Sequence, residues 1–123
     1  MNKAVFDVLF EKYTRAVTAT DVDTIVSIYA SEARIQIPVG GPWYEGIDAI
    51  NTFYRENELA ESLEVAGPAC VAGLEAAVPL RAVVVQSGRR LELDVIDVAE
   101  VDEDGSVLSM RAFFDLEGAR VLD

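Results

Sequence analysis

The stretch "LELDVIDVAEV", Leu91 to Val101, constrains the fold more than any other part of the chain. Extended backbone sends alternate side chains to opposite faces, so Leu91, Leu93, Val95, Asp97, Ala99 and Val101 share one side, and Glu92, Asp94, Glu100 and Asp102 fall on the other. A segment of this kind is a long strand with one face against a core. Asp97 is the only acid on the apolar side. An ionised carboxylate buried there without partners costs several kcal/mol or more, so the group is either paired or protonated if the strand reading holds.

Around this strand the chain divides in two. "AVFDVLFEKYTRAV" places Val5, Leu9, Tyr13 and Ala16 at helical spacing, with Phe6 and Val17 widening the stripe. A second, shorter helix is predicted through "TATDVDTIVSIYASEA". Thr20 and Asp23 form an acidic variant of a capping box, and Val22, Ile25, Val26 and Tyr29 share one face. "ARIQIPVGGPWYEG" switches to period two and turns at Pro38, Gly40, Gly41 and Pro42, a small hairpin. "GIDAINTFYRENELAESL" returns to helical spacing through Ile47, Ile50, Phe53 or Tyr54, and Asn57. Beyond about residue 62 four β-branched runs follow, punctuated by "QSGRR" and "DEDGS", turn signals of the hairpin type. Helices first and an antiparallel meander second predict an α+β fold in which a curved sheet wraps on three N-terminal helices and encloses a pocket. Residues 1–123 read as one domain. Ile96, Val98 and Phe113 lie on the outward parity of their strands, an apolar patch that points to a homodimer contact.

Composition narrows the chemistry. With 22 acidic and 10 basic residues the formal charge is −12, which repels nucleic acid and anionic membranes. No apolar run of membrane-spanning length and no secretory leader is visible, so a cytoplasmic location is expected. The chain has no histidine and one cysteine. Ser-His-Asp and Cys-His catalysis are therefore excluded, a thiolate zinc site lacks its second ligand, and no metal or other cofactor is expected. Cys70, in apolar "PACVAG", reads as a small core residue. Acid–base chemistry falls to carboxyls, tyrosines and lysine. Tyr13, Tyr29, Tyr54 and Asp97 all lie on inward-facing positions. Buried hydroxyls and a buried carboxyl all need partners, and one shared network inside an apolar pocket is the economical arrangement.

Through "EKYTRAV", "DVDTIVSIYASEARIQIPVG", "GIDAINTFYREN", "LDVIDVAEV" and "GSVLSMRAFF" the sequence resembles the ketosteroid isomerases, the steroid Δ5-isomerases of the cone-shaped fold shared with SnoaL-like cyclases and nuclear transport factor 2. The resemblance spans nearly the whole chain. It implies that Tyr13 and a protonated Asp97 are oxyanion-hole donors, that Tyr29 and Tyr54 hydrogen-bond around Tyr13, and that Phe114 belongs to an aromatic pocket wall. A neutral acid is a natural donor in an apolar site, because desolvation disfavours the carboxylate.

One position departs from the family. Its general base is an aspartate just before the "P-V-G" turn, and here that residue is Ile37. An isoleucine takes no proton, and general-base catalysis contributes roughly 100 to 10,000-fold. Glu45, on the return strand of the hairpin, is the nearest alternative base in sequence, though most such carboxylates are solvated. Strand parity turns Asp115 and Arg111 outward. Trp43 either caps the pocket or covers the hairpin. Three functional readings follow. The first is a weak or altered Δ5-3-ketosteroid isomerase, transposing a C=C bond within one molecule. The second is a binding protein for a steroid or phenol, with no turnover. The third is a SnoaL-like cyclase or epoxide-opening enzyme. All three share a small hydrophobic ligand as partner, with Ile37, Phe114 and Trp43 as candidate contacts.

Overall fold

The computed structural model describes residues 2–122. Helix α1 (Lys3–Thr18) begins at Asn2, whose side chain accepts from the Val5 amide, and α2 (Val22–Ser27) begins at Asp21, whose carboxylate accepts from the Thr24 amide and hydroxyl. The cap of α2 is thus Asp21, not the Thr20/Asp23 pair suggested by the sequence. Strand β1 (Tyr29–Gln36) and the short β2 (Tyr44–Glu45) form the expected hairpin, with Arg34 opposite Glu45 and Ile35 opposite Tyr44. Helix α3 (Ile47–Glu56) starts behind Gly46, whose φ of 89° favours glycine and whose amide donates to Ala33 O at 2.7 Å. Strands β3 (Ser62–Val65), β4 (Cys70–Ala72), β5 (Glu75–Gln86), β6 (Arg89–Val101), β7 (Val107–Phe113) and β8 (Arg120–Val121) follow, with one turn of 3₁₀ helix at Leu116–Gly118 before the last.

The eight strands form one curved sheet ordered β2-β1-β7-β6-β5-β3, with β4 paired to β5 and β8 to β6. The α+β class holds. The sheet is antiparallel except at one place, where β1 runs parallel to β7. The last long strand, β7, thus comes back at the end of the meander to lie beside β1, which was laid down before it.

Alternation sets the core. Along β6, Leu93, Val95, Asp97, Ala99 and Val101 are buried while Asp94, Ile96 and Glu100 are exposed, the parity that the sequence predicts. The β5–β6 hairpin turns in two residues, Ser87 (φ 53°) and Gly88 (φ 77°), the positive-φ pair that matches strand twist. The β6–β7 turn is held by Asp102, whose Oδ1 accepts from the amides of Asp104 and Ser106. Phe6, Phe10, Ile25, Ile50, Leu80 and Met110 fill the space between the helices and the inner face of the sheet.

Two expectations fail for identifiable reasons. Tyr29 is not on α2, which ends at Ser27; it is the first residue of β1, and its side chain still points inward. Cys70 is exposed, not in the core. It lies on a short side strand opposite Ala77, whose position in β5 has the outward parity. Among the described residues no helix is long and apolar enough to cross a membrane.

Candidate functional site

A cavity of about 310 Å³ opens between the inner face of the sheet and α1 and α3. That volume is at the lower end of the range for small-molecule sites. Its walls are apolar side chains in the main, with Ile37 and Phe114 among them. Tyr13, Tyr54 and Asp97 are the polar groups that reach it from the interior.

Each of these arrives by regular structure. Tyr13 is on the buried stripe of α1 and Tyr54 on that of α3. Asp97 lies in the middle of β6, opposite Val78 on β5 and Ala112 on β7, so its flanks are apolar. Burial alone pushes its carboxyl up to about 7. No arginine or lysine faces it to hold the charge, and among the described residues its side chain makes no hydrogen bond. Asp97 is 3 % exposed. Below about pH 7 the outcome is a neutral carboxyl with a cavity in front of it.

The three tyrosines form a chain. The Tyr54 hydroxyl lies 3.1 Å from that of Tyr13 and 2.7 Å from that of Tyr29. Three hydroxyls carry three protons and two bonds consume two of them. If Tyr29 donates to Tyr54 and Tyr54 to Tyr13, the remaining proton belongs to Tyr13 and is free for a ligand in the cavity. Such a chain polarises its last member in the same direction. Burial raises the pKa of all three phenols well above the ordinary tyrosine value, with like-charge repulsion adding to it, so they act as neutral donors. Tyr29 sits behind Tyr54 and does not line the cavity.

Trp43 and Glu45 are elsewhere. Trp43 lies over the hairpin, with the Arg34 guanidinium 4.2 Å and that of Arg111 5.8 Å from its ring centroid, on the outer side of the sheet. It does not cap the pocket. Glu45 is exposed on the two-residue β2 and takes no part in the cavity wall, so it is not placed as a base. Asp115 caps the 3₁₀ turn by accepting from the Glu117 amide. The sequence reading overlooked Glu58 and Gln86, which with Asn57 form the polar part of the cavity wall. Glu58 follows the end of α3, where helical periodicity no longer assigns a direction.

Comparison with known proteins identifies the family. A SnoaL-like domain matches residues 10–110. The chain belongs to the SnoaL-like family. It is 34% identical to the steroid Δ-isomerase of Nocardioides simplex over 104 residues, 84% of each chain. It is also similar to a solved structure of SalBIII, an epoxide hydrolase/cyclase-like enzyme described in pyran ring formation in the polyether salinomycin. The TM-score is 0.84 at 28% identity, over 97% of this chain and 96% of that one. The cone-shaped fold anticipated for this SnoaL-like chain is thus the fold of its relatives.

Asp97 carries a stability signature. A carboxyl raised from 3.8 to about 7 on folding keeps its proton in the native state while the unfolded chain releases it. Native stability therefore falls as pH rises from about 4 to about 7, by on the order of 4 kcal/mol. In Asp97→Asn this loss is absent. The stability difference between variant and parent, measured by urea unfolding, is expected to grow in favour of the variant across that window and level off above it. A difference that is flat with pH would mean a hydrated, ionised Asp97.

Proposed function

We propose that this SnoaL-like protein binds a flat, largely apolar molecule by one oxygen, with Tyr13 and protonated Asp97 as the two donors. The observation that carries the reading is the unbonded carboxyl of Asp97 facing the same cavity as the end of the tyrosine chain. Two donors converging on a carbonyl oxygen favour its dienolate over the ketone, and one such donor is worth roughly 3 kcal/mol in the transition state. A phenol mimics that dienolate.

Isomerisation of a Δ5-3-ketosteroid also needs a base that lifts a proton beside the carbonyl and returns it two carbons away. Ile37 lines the cavity, at the position where the resemblance to ketosteroid isomerases implies the aspartate base. The protein is therefore a ligand-binding member of the family with weak or altered isomerase activity. With 5-androstene-3,17-dione, Ile37→Asp is expected to raise kcat/KM at least 100-fold over the natural chain. Rapid turnover by the natural chain, unimproved by the new aspartate, would overturn this reading.

A second reading rests on the state of Asp97 and the likeness to SalBIII. As the internal hydroxyl oxygen bonds to the epoxide carbon and the epoxide C–O bond breaks, the neutral carboxyl protonates the departing oxygen. The proton released by the attacking hydroxyl passes to water, from which Asp97 is reprotonated; no base at position 37 is required. Cyclisation of an apolar hydroxy-epoxide at pH 6, lost by more than 100-fold in Asp97→Asn, supports it. Equal rates in the two proteins sink it.

The outer face of the sheet supports a homodimer. Ile96 pairs with Phe113 there, 42 % and 40 % exposed, beside Trp43 at 36 %. Arg34 and Arg111 stack on this patch, and neither has a carboxylate partner among the described residues, in a chain rich in acids. A second copy supplies both an apolar face and the missing acids. Light scattering is expected to give twice the chain mass, and Ile96→Asp with Phe113→Asp to give a monomer; a natural chain that is monomeric at 100 µM on the order of magnitude used for weak dimers would remove the proposal.

A further inference from the structure

The cavity has a second polar end, and its position follows from strand register. Asp97 lies opposite Val78 of β5. From there the inward positions of β5 step through Leu80, Ala82 and Val84 towards Gln86, and those of β6 step back through Val95 and Leu93; all but Val78 line the cavity. Val78 and Val84 are six residues apart, roughly 20 Å of strand. The segment after α3 lies against this far end of β5, where the Glu61 amide donates to Val83 O at 2.8 Å and Ser62 pairs with Val83. Glu58 is on that segment and contributes to the cavity wall. It is the only carboxylate of the wall besides Asp97 among the described residues, and it forms no ion pair and no hydrogen bond with them.

We propose that Glu58, with Asn57 and Gln86 beside it, binds the far end of the ligand and selects an elongated molecule with a cationic or hydrogen-bond-donating group there. This rests on the reading that the ligand oxygen meets Tyr13 and Asp97. The carboxamide of Asn57 is partly committed, because its Nδ2 donates to Phe53 O at 2.8 Å, which leaves its oxygen as a further acceptor. Glu58 is exposed, so it works at the mouth. Acceptors therefore predominate at this end, whereas donors occupy the other. A carboxylate-tailed ligand meets repulsion from Glu58 and from a net charge of −12.

Two probes of equal length test this: 4-hydroxybiphenyl bearing a 4′-aminomethyl group, and the same phenol bearing a 4′-carboxylate. At 150 mM salt the natural chain is expected to bind the cationic probe roughly five to ten times more tightly. Glu58→Gln brings the ratio close to one. Glu45→Gln removes the same charge away from the cavity and keeps the ratio, which separates a local contact from the general field. Tyr13→Phe weakens both probes together and keeps the ratio. A ratio that survives Glu58→Gln, or that falls equally in Glu45→Gln, overturns the assignment of Glu58. Affinities untouched by Tyr13→Phe would instead overturn the placement of the ligand oxygen.

Discussion

The carboxyl of Asp97 on the dry side of β6 is the constraint around which the site is arranged. Among the described residues no cation offsets it, so burial shifts the group towards its protonated form, which predominates below about pH 7. That choice has structural consequences. Neighbours at Val78 and Ala112 are kept apolar, a cavity is left in front, and the tyrosine chain ends beside the same space with a proton of its own. A buried carboxylate paired with an arginine would be more stable at pH 7 but would have no proton to donate. The site accepts a loss of stability with rising pH in exchange for a donor, the trade-off that functional sites commonly show.

Much of this was legible in residue order because it depends on period. Asp97 stands out as an acid in a run of alternate apolar residues, and the buried stripe of α1 carries Tyr13. Tyr54 is on the inward side of the third helix for the same reason, whereas Asn57, read as the next inward position, is the exposed, extended residue that ends α3. What periodicity does not carry is the place where a chain changes its conformation. Tyr29 fits a helical face with Ile25 and Val26, yet the helix stops at Ser27 and the same side chain reaches the core from a strand. Both conformations bury it, so the inward assignment held although the element did not. The irregularity between β6 and β7 is similar: Val107 and Met110 are both fully buried although three residues apart, because the register shifts near Glu100 and Val101. No alternation pattern predicts such a bulge.

Loops were less legible still. Trp43 and Glu45 are close in sequence to Ile37, and sequence distance made them candidates for the pocket. The hairpin sends them to the other side of the sheet, where the Trp43 ring is held by Arg34 and Arg111. Glu58 was overlooked for a different reason. It follows directly on the stretch "GIDAINTFYREN" but lies past the end of α3, where helical period assigns no direction, and the pairing of the next strand, β3, with β5 holds this segment near the cavity. The resemblance pointed to residues that the fold brings to the inner end of the cavity, Tyr13, Tyr54 and Asp97, and named none of Asn57, Glu58 and Gln86 at the outer end.

The same division explains why Ile37 does not make the cavity inert. A base adds rate only when the reaction passes through proton removal from carbon, whereas a pair of oxygen-directed donors stabilises any ligand that accumulates charge on one oxygen. Replacing an aspartate by isoleucine removes a charged group from the wall and lowers its polarity around Asp97. With no second carboxylate at position 37 to repel the ionised form of Asp97, burial is what raises its pKa. Positions 37 and 97 therefore contribute separately: an isoleucine makes the wall more apolar for an apolar ligand, and the buried carboxyl supplies the donor that meets its oxygen.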